Sequence, residues 1–314
     1  MEPTQPIVIE KAVRFDFRSE VNQRRYSISV ALPLVAAREK GYRVLYVLDG
    51  YWYFASAMEA VRKNAPDVVV VGVSYPDDAA YIQSVVERHP SLPVWFKSEP
   101  AFRSVVFLER FYDLTLPAAD AVLTSDLRGY GITLGVRDVG GLNDFLKVLE
   151  TEIKPRVAAM APIDSSNQTI FGHSLGGLAV LHALFVAPSA FRTFVAASPS
   201  IWWSEEAVLR GEAKFADAVR AGTTKPRVLV TVGSEEQTPD PKVANSFSLN
   251  PAEFAAQVRR NRMVDNAREL TERLSALPAS GDFKVEYAVF PAQSHGIAPW
   301  PALGRAVSFA FRSN

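Results

Sequence analysis

The sequence predicts an α/β protein built on a mostly parallel central sheet flanked by helices, and three observations carry that prediction. Residues 42–48 and 67–73 are near-continuous apolar runs rich in β-branched side chains, the pattern of strands buried on both faces. Segments with apolar residues at helical spacing alternate with such runs, as in parallel strand–helix–strand units. No linker-like stretch or break in composition divides the 314 residues, so 1–314 reads as a single domain.

Taken in order, residues 7–17 alternate loosely and read as an edge strand. Residues 25–33 alternate more clearly, with Ile28, Val30 and Leu32 on one face and Pro33 closing the run. Residues 42–48 form a buried strand closed by Asp49-Gly50. Residues 51–62 carry Phe54, Met58 and Val61 at i, i+4 and i+7, which predicts a helix. Residues 67–73 are the next buried strand. The stretch 76–139 breaks the rhythm with several prolines and weak periodicity, and reads as a lid-like insertion between core elements. Gly140-Gly141 then opens a helix through Phe145, Leu149 and Ile153. Further strands are expected before Gly172, over 191–198, over 227–233 and over 284–290. One long amphipathic helix is expected over 251–277 and a closing helix over 301–311.

The charges balance, with 34 basic and 34 acidic residues, so bulk electrostatics point to neither a nucleic-acid nor an anionic-membrane partner. There is no cysteine, which excludes disulfides, thiolate nucleophiles and Cys-ligated metals. No stretch reaches the roughly 18 apolar residues of a membrane span. The first residues lack the basic and apolar regions of a leader. A cytoplasmic location is the expectation, with the periplasm open had a leader been removed.

The chemistry centres on Gly172-His173-Ser174-Leu175-Gly176, where an apolar run leads in and a buried helix leads out. This is the G-x-S-x-G nucleophile elbow in its strand–turn–helix setting. The glycines remove side chains that would collide across the tight turn, and the following helix directs amides at the attacked carbonyl. A serine hydroxyl needs a base. Of the four histidines, His295 follows the last strand, at the sheet edge where Ser174 stands and where open α/β sheets bind ligands. His89 reads as solvated in the insertion, His173 as turned away from its neighbour Ser174, and His182 as packed or capping. The order Ser, acid, His places the carboxylate after strand 227–233, with Glu236 first and Glu235 and Asp240 as competitors. A Ser–His pair working without a carboxylate is a further alternative. The oxyanion hole should combine the Leu175 amide with that of Tyr51, next to Trp52, in the loop after strand 42–48. Trp202 and Trp203 read either as core or as an aromatic wall for the substrate.

At these residues the chain resembles a known family. Leu48-Asp49-Gly50, the elbow, Ser198-Pro199-Ser200-Ile201-Trp202-Trp203, Asp265-Asn266-Ala267-Arg268 and Phe290 through His295-Gly296 are similar, in order, to the esterase D-like α/β hydrolases. Within them the likeness points to the siderophore esterases that act on enterobactin, salmochelin or bacillibactin. It implies an α/β-hydrolase fold, no cofactor and no metal, Ser174 as nucleophile and His295 as base. Family members often carry Gly-Glu-Leu-Glu after the acid strand; here the segment is Gly233-Ser234-Glu235-Glu236, which retains the second Glu as Glu236. The likeness also implies that Arg110, ahead of Asp113-Leu114-Thr115, contacts an anionic substrate group. The resulting expectation is a serine esterase forming an acyl-enzyme on a small-molecule ester, with a siderophore trilactone as one substrate. Feruloyl-type or simple acyl esters, transfer to an alcohol, and a non-catalytic binding role are the alternatives.

Overall fold

The computed structural model describes residues 8–89, 101–278 and 281–312, with the side chains of 101–104 left aside. Eight strands form one sheet in the order β1-β2-β4-β3-β5-β6-β7-β8. They are β1 Ala12–Arg18, β2 Arg25–Ala31, β3 Tyr42–Val47, β4 Val68–Ser74, β5 Ile163–His173, β6 Thr193–Ala197, β7 Arg227–Gly233 and β8 Lys284–Phe290. β1 and β2 pair antiparallel, as do β2 and β4; every later pairing is parallel. The fold is an α/β-hydrolase fold.

The apolar runs are strands because both sheet faces are covered, and successive residues feed different cores. Val44 and Tyr46 of β3 and Val69, Val71 and Val73 of β4 enter the larger core. Leu45 and Val47, with Val68 and Val70, enter the smaller one beneath the helices Gly50–Asn64 and Pro299–Phe311. Each fully buried aliphatic or aromatic side chain contributes about 1.5–3 kcal/mol of transfer free energy. A one-residue slip of β3 or β4 would exchange the two sets.

The stretch 76–139 is wall and core at once. Its helices Ala79–Arg88, Ala101–Asp113 and Asp120–Leu127 place Tyr81, Val85, Leu108, Phe111 and Leu123 in the larger core. Residues 90–100 lie outside the described residues.

Two helical expectations change. The expected helix over 251–277 is two, Pro251–Asn261 and Met263–Ser275, because Arg262 between them is left-handed at φ 45°. The helix after Gly141 runs Leu142–Val148, widens to a π turn over Leu149–Ile153 and continues as Lys154–Met160. Among the described residues no helix is long and apolar enough to cross a membrane.

Candidate active site

Ser174 stands between β5 and the helix Leu175–Val186 at φ 61°, ψ −118°, a backbone conformation that L residues rarely adopt. The surroundings impose it. A Cβ on Gly172 would sit 2.2 Å from the Gly176 carbonyl oxygen, and one on Gly177 would sit 2.8 Å from that of Ala197. The Ser174 amide donates to the Ala197 carbonyl at 3.0 Å, and its own carbonyl accepts from Leu178 and Ser200. The Leu175 amide opens the helix, where no preceding turn supplies a carbonyl.

The acid and base loops are joined to each other. His295 Nδ1 lies 2.5 Å from Glu236 Oε2. The other carboxylate oxygen, Oε1, accepts from the Gly233 amide and from Ser198 Oγ, each at 2.6 Å. Glu236 is thereby buried and fully hydrogen-bonded, as a buried carboxylate must be. Gly233 allows the approach: a Cβ there would meet the Gln293 carbonyl oxygen at 2.2 Å. With Nδ1 held by Glu236, Nε2 is the ring nitrogen left for proton transfer. Of the competing acids, Glu235 is exposed, and Asp240 caps the Pro241–Ser246 helix by accepting from the Lys242 amide.

Ser174 and His295 line the same cleft. Ser174 Oγ lies 3.4 Å from Ser200 Oγ, and no Ser174–His295 hydrogen bond is formed. Such contacts are often long in the free protein and tighten around substrate.

His173 is buried under the base, its ring 4.5 Å from that of His295. Its Nδ1 pairs with Tyr53 Oη at 3.1 Å. Burial, with His295 and Arg110 nearby, pushes its pKa well below the usual histidine value and keeps it neutral. His182 pairs with Asn143 Oδ1 at 2.8 Å, and burial lowers its pKa to about 4. His89 corrects the solvated reading: it is half-buried, with Nδ1 3.9 Å from an Asp138 oxygen.

The turn after β3 places Tyr51 and Trp52 in the first turn of the Gly50–Asn64 helix, with Asp49 left-handed at φ 54°. Gly50 has a packing reason that sequence reasoning did not supply: a Cβ there would lie 2.6 Å from the backbone of Gly72. The cleft has a volume of about 670 Å³ and is mainly apolar, with Trp52, Phe111, Tyr130, Ile132, Trp202 and Phe254 among its walls. Arg110 also lines it, with its guanidinium buried and paired with the Asp49 carboxylate. Trp203 requires a second correction. It is fully buried, packs near Phe111 and donates its indole N–H to the Leu116 carbonyl, so it belongs to the core and not to the substrate wall. Ser198 and Ser200 were missed as site residues; their place directly after β6, on the edge that carries Ser174, was the available signal. Among the described residues no group of three or more His, Asp or Glu side chains is arranged to hold a metal.

A strained serine at the elbow of a mostly parallel sheet, sharing a cleft with a carboxylate-held histidine, defines a serine hydrolase of the α/β-hydrolase fold. The family model described as "Putative esterase" matches residues 124–288. The ferri-bacillibactin esterase BesA of Bacillus subtilis is 30% identical over 293 residues, covering 93% of this chain and 86% of that protein. The siderophore enterobactin esterase of Emericella nidulans is 29% identical over 300 residues, covering 90% of this chain and 88% of that protein. The crystal structure of the BES protein from Bacillus cereus superposes with a TM-score of 0.76 at 27% identity, covering 99% of this chain and all of that one. The chain belongs to this esterase family and is a carboxylic ester hydrolase.

Proposed function

We propose that this chain is a siderophore esterase that cleaves ester bonds through an acyl-enzyme on Ser174. His295 Nε2 takes the Ser174 proton as the hydroxyl attacks the ester carbonyl. Glu236 holds the ring in the required tautomer and stabilises the imidazolium that forms. The Leu175 and Tyr51 amides receive the developing oxyanion. His295 then delivers its proton to the departing alkoxide, and water repeats the two steps to release the acid.

One observation carries the catalytic reading: the elbow serine and the Glu236-held His295 open onto one apolar cleft. Support for a siderophore substrate comes from the relatives' names and from a cleft large enough for a sizeable ligand. Trp202, on the cleft wall, is the aromatic surface offered to it.

The test is turnover of purified protein on ferric and metal-free trilactone siderophores beside feruloyl and p-nitrophenyl esters. Faster kcat/KM on the siderophores is expected; preference for simple aryl esters would overturn the substrate. Ser174→Ala should lower kcat by roughly 10⁴-fold or more. Retention of wild-type turnover by that variant would remove Ser174 from the mechanism.

A further inference from the structure

The Asp49–Arg110 pair stands outside the Ser174, His295 and Glu236 set, yet it touches both sides of the oxyanion pocket. Arg110 comes from the Ala101–Asp113 helix. Its Nε donates to Asp49 Oδ1 and its Nη2 to Oδ2, both at 2.9 Å. Nη2 also reaches the His173 carbonyl at 3.4 Å, the last acceptor before the nucleophile. Asp49 itself is left-handed, and its carbonyl accepts from the Trp52 and Tyr53 amides, so it sets the turn that carries Tyr51. On its far side Asp49 Oδ2 leans on the elbow helix: a Cβ on Gly176 would lie 3.2 Å from it. Both side chains are buried, at 8% and 1% exposed, so neither partner regains water when the other is removed.

We infer that Arg110 is a positioning residue for the oxyanion pocket. Through Asp49 and the His173 carbonyl it fixes the spacing between the Tyr51 and Leu175 amides, and it does not offer its charge to substrate. The inference rests on the esterase reading above but is independent of which ester is cleaved.

Arg110→Gln and Asp49→Asn, singly and together, should be assayed on p-nitrophenyl acetate and on the anionic p-nitrophenyl hemisuccinate. Inactivation by a fluorophosphonate supplies a second readout. Each single change is expected to lower kcat about 100-fold on both esters, as removal of an oxyanion donor does, with KM nearly unchanged. Fluorophosphonate labelling should slow in parallel. The double variant should lose less than the product of the single losses, because no charge is left buried without its partner. A loss confined to KM for the anionic ester would make Arg110 a substrate ligand and overturn the inference. Unchanged kcat, or fully multiplicative losses, would overturn it as well. If Arg110→Gln does not fold, Asp49→Asn, nearly isosteric, decides by kcat and labelling on the same reagents. Absence of both turnover and labelling in the wild-type protein would sink the esterase reading and this inference together. Wild-type turnover with unaffected variants sinks this inference alone.

Discussion

The two sides of the cleft hold their residues in different ways. On the β5–β8 side each proposed catalytic group stands just beyond a strand: Ser174 follows His173, Glu236 lies shortly after Gly233, and His295 lies shortly after Phe290. The 76–139 side instead contributes from helices whose other residues fill the larger core, as Phe107 and Arg110 face the cleft while Val106 and Leu108 pack inward. Strand-end residues can therefore be exchanged with little loss of fold. Residues in or against the insertion couple the cleft wall to the stability of the molecule.

The sharpest test of that contrast is Glu236→Gln, which keeps shape and withdraws only the charge that orients His295. We expect kcat to fall by about 10²–10⁴-fold with the unfolding transition nearly in place. Near-normal turnover on p-nitrophenyl acetate would instead favour a Ser–His pair acting alone. Trp203→Ala, against the insertion, should do the reverse and destabilise by about 3–5 kcal/mol in urea unfolding. A loss below about 1 kcal/mol would mean that the insertion is only loosely tied to the sheet.

Acid should reveal a smaller effect from the elbow helix. His182 titrates at about 4 when folded, below the ordinary 6.5, so the unfolded chain takes up its proton first. Its contribution is present above about pH 6.5 and is lost as pH falls toward 4, by roughly 3 kcal/mol at most. His182→Gln should flatten the stability–pH curve in that window; an unchanged slope would assign the acid sensitivity to other groups, buried His173 among them. The smallest effect belongs to Trp202→Ala. A rise in KM of about tenfold on an aromatic ester, with stability almost intact, is the size of one lost aromatic contact. A large loss of stability there would erase the difference from its neighbour Trp203.

Those neighbours also mark how far the sequence could be read. The strand segments, the elbow and the loops carrying His295 and Glu236 were legible because each rests on a local signal: an apolar run, a glycine forced by a close approach, a polar residue beyond a strand. Trp202 and Trp203 share one local signal, and only the register of the turn after β6 sends one to the cleft and the other to the Leu116 carbonyl. Arg110 reads as a free cation until Asp49, 61 residues away in sequence, is placed against it. The break at Arg262 was hidden for a related reason. Its left-handed backbone sits within a run of good helix formers, and Gln237 from the acid loop bonds the Val264 and Asp265 amides that open the second helix.

β8 forms one edge of the sheet, paired with β7 alone, and most of its residues are only half-covered. The loop that follows it is fastened to the acid loop through the Ser234 amide on the Phe290 carbonyl, the Glu235 amide on that of Gln293, and Glu236 on His295. Warming that frays this border would draw the imidazole away from the serine and from a carboxylate that Ser198 and the Gly233 amide hold in place. Turnover would then vanish on heating while most of the circular-dichroism signal persisted, and would return on cooling without refolding of the core.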